Sequence, residues 1–548
     1  MPRTTLRCVV AGCVAFTMVA QASPQTPGAR ETRGGSACAD LRSLTFEGNT
    51  SIVAATPVTS GTLAVSAGGS QTGSPAETTL SNLPPFCRVQ GLSKPSHDSN
   101  IFFEVWLPEP QNWNAKFLSS GEGGFAGAPN YTRNGLDGGM DELVRRGYAT
   151  ASTDTGHRSS ESGWAVGHPE KAIDYLFRSK HLVTVAAKGL ISAYYGRPAS
   201  RSYFNSCSNG GRQGLIEAQR YPDDYDGFVI GAPWNFQSHS NAGFVWNAQA
   251  LSAPGAAIPP TKLPAINRAA LAACDANDGL TDGVIANPAA CRFDPAVLLC
   301  HGPESDSCLT QPQLTALQKI YAGPSNPRTG GPVFPGLAVG SETGWSNLVR
   351  DPNSSGLGAG YFGNLVFENP KWDFRTFNFD NDLATADSKI GRLGNAIDVD
   401  YSRVSKRGVK IIQYHGWNDQ TLQPAYSPQY YDQVVSANGG LEATQTFYRL
   451  YMVPGMAHCY FGSGASSFGG VGQQIPPVRD ASHDIQMALE AWVEKGVAPA
   501  QLIATKFADD KATTRTVKLT RPLCAYPMTP RYRGTGDPND AASFMCVR

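Results

Sequence analysis

The run Ser206-Cys207-Ser208-Asn209-Gly210 places a hydroxyl where a nucleophile could stand. A strand-like stretch precedes it from residue 200, and a helix-like stretch follows it up to Pro222. A serine on a sharp strand-to-helix turn can project its hydroxyl while the helix N-terminus faces a reacting oxygen. The backbone N–H of Asn209, the next residue, is then the expected oxyanion donor. Ser206 stands where the G-x-S-x-G turn usually carries glycine, and a helix-capping serine is the rival reading.

A nucleophilic serine needs a base, and the base needs an orienting acid. His458 lies in a Gly-Met-Ala-His loop after the strand-like "TFYRLYMV", and Asp419 ends "VKIIQYHGWND". Ser208, Asp419, His458, each after a strand, is the order of an α/β hydrolase. Among the nine histidines, His415 and His157 are the rivals as base, and His415 would reverse the acid–base order. Cys207 immediately precedes the serine, and Cys459 immediately follows the histidine. A disulfide requires Cα atoms within about 7 Å. A Cys207–Cys459 bridge would therefore hold the serine turn and the histidine loop at catalytic distance. The other cysteines pair by proximity: Cys38 with Cys87, Cys274 with Cys291, Cys300 with Cys308, Cys524 with Cys546. No C-x-x-C pair among them suggests zinc.

Two further loops could do chemistry. Gly121-Glu122-Gly123-Gly124 follows the strand-like "KFLSS", where α/β hydrolases draw their second oxyanion donor, so Gly123 or Gly124 would supply that N–H. No G-x-x-x-x-G-K-[ST] accompanies it, which argues against a nucleotide site. "CDANDGLTDGVIANPAAC" (274–291) brings Asp275, Asp278 and Asp282 together between two cysteines. Three hard carboxylates on a glycine-bent loop suit calcium. The spacing is not that of an EF-hand, and an acidic turn without metal is the alternative.

These loops need a frame. Strands alternate with helical stretches over 101–231 and again from 409, which predicts an α/β fold with a parallel sheet. Between them the strand signals fade while Pro, Gly and Asn rise. The expected organisation is a catalytic α/β-hydrolase domain from 23–231 and 402–548, with 232–401 inserted as a lid that carries the acidic loop. Lys+Arg and Asp+Glu both number 45, so nothing favours nucleic acid. No apolar run is long enough for a membrane span. Arg3 and Arg7, the apolar "CVVAGCVAFTMVA" and Ala20-Gln21-Ala22 read as an export signal over 1–22, hence a secreted or periplasmic protein. Cys13 ends a run resembling a lipoprotein box, but the apolar stretch before it is short. Export leaves ten cysteines, an even count that fits five disulfides. The sequence leaves the oligomeric state open.

Cys207-Ser208, Asp419 and His458-Cys459 together resemble the tannase and feruloyl esterase family, which includes the hydrolase of mono(2-hydroxyethyl) terephthalate. "WNAKFLSSGEGGFAG", "YFNSCSNGGRQGLIEAQRYPDDYDGFVIGAP", "NPKWDFRTFNFD" and "MVPGMAHCYFG" share the resemblance, which spans nearly the whole chain after the signal. It implies an α/β-hydrolase core with a lid, and a serine esterase acting on small esters of aromatic acids. It also places a structural Ca2+ in the acidic loop, with Asp275, Asp278 and Asp282 as side-chain ligands and Leu280 and Val284 offering carbonyls. A terephthalate monoester carries a carboxylate and would want an arginine in the lid pocket. "GLGAGYFGNLVF" (356–367) has none, and Arg350 and Arg375 only flank it, so phenolic acids such as ferulate or gallate are expected. The non-enzymatic alternative is a calcium-dependent binding protein with an inactive hydrolase core.

Overall fold

Five short apolar runs form a parallel sheet: β1 (Lys116–Ser120), β2 (Arg201–Cys207), β3 (Gly227–Gly231), β4 (Lys410–Gly416) and β5 (Tyr448–Val453). Their order in space is β5-β4-β3-β2-β1. β3 is buried at every residue, and β2 and β4 at all but their first. Parallel strands covered on both faces read as continuous rather than alternating hydrophobic runs, which is why these segments stand out in the sequence. The computed structural model describes residues 35–67 and 76–548, so the export signal expected over 1–22 lies outside the described residues.

A second sheet is antiparallel, in the order Thr45–Phe46, Thr50–Val58, Phe86–Ser93, Ile101–Pro108, Thr150–Thr153. It continues the first. Leu118 donates its N–H to the Ala149 carbonyl at 2.9 Å, and Ala149 returns one to Lys116 at 3.1 Å. Helix α1 (Ser179–Tyr195) packs on the adjoining strands Ile101–Pro108 and Thr150–Thr153, α2 (Asn209–Arg220) and α4 (Ile485–Lys495) cover the parallel sheet, and α3 (Gln237–Ser252) opens the intervening segment. Helix α4 starts where the Asp484 carboxylate accepts the N–H groups of Gln486 and Met487, and ends at Gly496 in the left-handed conformation.

Between β3 and β4 the described residues contain no strand. This stretch has a hydrophobic core of its own, which includes Ile258, Ile266, Leu317, Ile320 and Trp345. A second cluster joins Val245, Tyr361, Phe362 and Phe377 to Tyr175 and Leu176 and so seats the stretch on the sheet-bearing part. The strand register matters most at one edge. Ser120 pairs with Asn205, Cys207 with Gly231, Gly231 with Tyr414, and Gly416 with Val453. All five strands therefore end together, and the loops that follow them share the carboxyl edge of the sheet, where open α/β sheets bind their ligands.

Candidate active site

Ser208 is the single residue between β2 and α2. It adopts φ 66°, ψ −127°, a conformation that side chains rarely hold. Three backbone bonds pin it: its N–H donates to Gly231 at 3.0 Å, and its carbonyl accepts from Arg212 at 3.0 Å and Trp234 at 3.1 Å. The turn is tight enough that a Cβ at Gly210 would stand 2.0 Å from the Ser206 hydroxyl. Glycine at that position is a steric requirement, and it explains why Ser206 can replace the usual glycine before the serine.

Asp419 and His458 leave β4 and β5 on neighbouring loops. The two loops are laced together: Trp417 donates to the Val453 carbonyl at 2.9 Å and Asn418 to the Met456 carbonyl at 2.9 Å. His458 Nδ1 lies 2.7 Å from Asp419 Oδ2. Asp419 is wholly buried. Burial alone would raise its carboxyl, but His458 and His415 outweigh that and hold it below the usual carboxylate range. Its Oδ1 accepts the N–H groups of Thr421 and Leu422, each at 2.8 Å.

A disulfide joins Cys207 to Cys459, with Cα atoms 5.9 Å apart. It ties the residue before Ser208 to the residue after His458 and is itself buried. The remaining pairs are Cys38–Cys87, Cys274–Cys291, Cys300–Cys308 and Cys524–Cys546. Five bridges fit an oxidising compartment. No helix among the described residues is long and apolar enough to cross a membrane.

The glycine loop sits beside the serine turn. A Cβ on Gly121 would come within 2.8 Å of the Gly210 Cα, so the two backbones touch. The Asn209 side chain donates to the Glu122 carbonyl at 3.0 Å, and Gln213 accepts the Glu122 N–H at 3.0 Å. Helix α2 thus clamps the loop that holds Gly123 and Gly124. Gly123 faces open space, and Gly124 has a φ of 56°. Behind the loop stands an aromatic wall: Phe125 lies 5.7 Å from Trp234 and 5.9 Å from Tyr175 between ring centres. A Cβ on Gly360, from the inserted segment, would meet the Phe125 ring at 2.6 Å. The clamp by Asn209 and the wall were not expected from the sequence.

The rival histidines are accounted for separately. His157 is buried against Trp164, with rings 3.7 Å apart, and burial pushes its imidazole down to about 3. It is neutral and lies behind the glycine loop. His415 reaches the same Asp419 Oδ2 as His458, at 3.1 Å.

In the acidic loop, both oxygens of Asp275 accept backbone N–H groups, from Asp282 at 3.2 Å and Gly283 at 2.9 Å. Asp278 accepts from Leu280 at 3.0 Å. Burial, and then the charges of Asp282 and Asp275, push the Asp278 carboxyl up to about 6. That repulsion is what a divalent cation would relieve, and the donors are hard oxygens, so the loop fits calcium in chemistry. Asp282 also pairs with Arg521 at 2.8 Å. Among the described residues a different group could hold a metal ion. His181, Glu217 and Asp224 bring their ligand atoms within 4.8 Å of one another, which the three loop aspartates do not.

The family model "Tannase and feruloyl esterase" matches residues 87–547. An uncharacterized esterase of Xanthomonas campestris pv. campestris is 40% identical over 543 residues, covering 93% of this chain and 91% of that protein. A probable feruloyl esterase B-2 of Aspergillus oryzae is 32% identical over 474 residues, covering 84% of this chain and 86% of its own length. The crystal structure of feruloyl esterase B from Aspergillus oryzae superposes with a TM-score of 0.83 at 28% identity, covering 93% of this chain and all 100% of that one. The strand order, the loops gathered at one sheet edge and these matches have one reading: the chain belongs to the tannase and feruloyl esterase family and is a carboxylic ester hydrolase with an α/β-hydrolase fold.

Proposed function

We propose that the chain is an exported serine esterase that cleaves esters of phenolic acids such as ferulate or gallate through an acyl-enzyme. The observation that carries the reading is the covalent tether between the strained Ser208 turn and the His458 loop, with His458 held by buried Asp419. Ser208 Oγ attacks the ester carbonyl carbon and gives its proton to His458 Nε2. The N–H groups of Asn209 and of Gly123 or Gly124 receive the oxyanion. When the intermediate collapses, the C–O bond to the alcohol breaks and His458 returns the proton to the leaving oxygen. Water then repeats the sequence on the acyl-enzyme, releasing the acid and restoring Ser208. Asp419 stays ionised throughout and fixes His458 with Nδ1 protonated.

The aromatic wall around Phe125 and Trp234 suits a flat aromatic acyl group. The Aspergillus oryzae relatives carry the name feruloyl esterase, which points the same way. Arg350 is exposed and Arg375 is spent on Asp373 at 2.9 Å, so neither favours a terephthalate monoester. In this reading 232–401 is the lid. Asp275, Asp278 and Asp282, with the carbonyls of Leu280 and Val284, would hold a structural calcium there, and calcium would supply loop stability rather than chemistry. Turnover of methyl ferulate, methyl gallate and mono(2-hydroxyethyl) terephthalate by the purified chain tests the assignment. Preference for the terephthalate ester would overturn the phenolic reading.

A further inference from the structure

Asp419 Oδ2 is shared by two imidazoles, at 2.7 Å from His458 Nδ1 and 3.1 Å from His415 Nε2. His415 is 2% exposed and cannot serve as the base, because both its nitrogens are engaged. Its Nδ1 lies 2.7 Å from the Ser427 hydroxyl. Ser427 in turn accepts from the Gln413 amide at 3.0 Å, and the Tyr448 hydroxyl donates to the Gln413 carbonyl oxygen. His415, Ser427, Gln413 and Tyr448 are all buried.

The chain has one consistent direction. Ser427 has a single hydrogen, and its oxygen already accepts from Gln413. The ionised Asp419 carboxylate can only accept, so the His415 nitrogen facing it carries a proton, and in the neutral ring Nδ1 accepts the Ser427 hydrogen. Neutral His415 therefore carries its proton on Nε2, aimed at Asp419. The carboxylate now has two backbone N–H donors on Oδ1 and two imidazole donors on Oδ2. A carboxylate torsion is soft when few groups hold it. Four donors in fixed positions leave it one orientation.

We propose that His415 is a positioning residue for ester hydrolysis: it locks the Asp419 carboxylate in the plane that holds His458 facing Ser208. The inference rests on the triad reading above. Gln413, Ser427 and Tyr448 favour the tautomer in which His415 can do this.

The test uses the full chain and p-nitrophenyl acetate, with kcat and KM measured separately. His415→Phe keeps the ring volume and removes the donor. It should lower kcat roughly 10- to 100-fold at unchanged KM, the size of effect a misplaced catalytic group produces. His415→Gln returns an N–H near the Nε2 position and should recover most of the loss. Ser427→Ala should lose less than His415→Phe, since His415 stays but its tautomer is no longer fixed. A folded His415→Phe with normal kcat overturns the proposal, as does a Gln variant no better than Phe. Should the Phe variant not fold, the proposal falls if Ser427→Ala has wild-type kcat. His458→Ala separates the two claims. If it stays active, the triad reading itself fails. If it is inactive while His415→Phe is fully active, only the positioning role fails.

Discussion

Asp419 and Asp224 each hold an imidazole close, 2.7 Å to His458 and 2.6 Å to His181, yet their surroundings differ in every respect that matters for catalysis. Asp419 is a lone carboxylate with four donors. It sits at the carboxyl edge of the sheet, on a loop laced to the histidine loop, which is bridged to the serine turn. Asp224 shares its site with Glu217, which is fully buried with neither carboxyl oxygen hydrogen-bonded. Burial, and then the neighbouring Asp224, push the Glu217 carboxyl well above the usual range. His181 leans on Tyr221, with rings 3.8 Å apart, beside the ends of α1 and α2 rather than beside Ser208. A histidine–carboxylate contact is therefore not a signature of catalysis. What distinguishes Asp419 is an excess of donors over carboxylates, and a position shared with a strained serine.

The sharpest way to break this contrast is a matched pair of amides. Asp419→Asn should cut kcat by about 10⁴-fold through the wrong His458 tautomer, as in other triads. Asp224→Asn should leave kcat unchanged and cost about 1–3 kcal/mol of stability from the lost bond to His181. Equal kinetic losses in the two variants would dissolve the distinction.

The bridge comes next. Replacing Cys207 and Cys459 together by alanine leaves the sheet and the acidic loop chemically unchanged. The expected loss in kcat is on the order of 100-fold, more than the accompanying fall in melting temperature explains. A double variant with normal kcat and only a lower melting temperature would reduce the bridge to a staple.

Calcium sharpens the comparison from the other side, because the acidic loop is remote from the Ser208 turn in role. Asp278→Ala, or a strong chelator, should lower the melting temperature while barely changing kcat of the folded enzyme. A metal held only by the folded state contributes about 2.7 kcal/mol at a free concentration of about 100 times Kd. Elemental analysis that finds no calcium in purified active enzyme contradicts this.

The smallest expected effect concerns another imidazole, one that is buried away from the serine turn. His157 is pushed down to about 3, while an unfolded histidine titrates near 6.5. Between these values the unfolded chain takes up a proton that the folded chain refuses. The contribution to stability is thus full above about pH 6.5 and is lost as pH falls toward about 3. His157→Phe keeps the stack on Trp164 and removes the titration. Its melting temperature should fall less steeply than the wild type's between pH 7 and pH 4.5. Parallel slopes would refute the assignment.

How much of this the sequence discloses depends on how local the cause is. The serine turn, the buried strands and the cysteines flanking Ser208 and His458 are neighbours in the chain, so their pattern is readable. The glycine at 210 follows from a clash with Ser206 only four residues away. His415 was legible as a candidate base but not as a partner of Asp419, because that contact depends on how the turn after β4 folds back. The clamp of Asn209 on Glu122 spans 87 residues. The His181, Glu217 and Asp224 group joins helix α1 to the end of α2 and the loop after it, with His181 43 residues from Asp224. The acidic loop showed its carboxylates but not the ion pair of Asp282 with Arg521, which lies 239 residues away.

Covalent capture is the most direct check on Ser208 as the nucleophile. The full chain is treated with a fluorophosphonate, and the modified peptide is located by mass spectrometry alongside residual esterase activity. One label per chain is expected, on the peptide containing Ser208, with activity lost in proportion and no label on Ser208→Ala. A label on another serine that tracks the loss of activity, or equal labelling of Ser208→Ala, would contradict it.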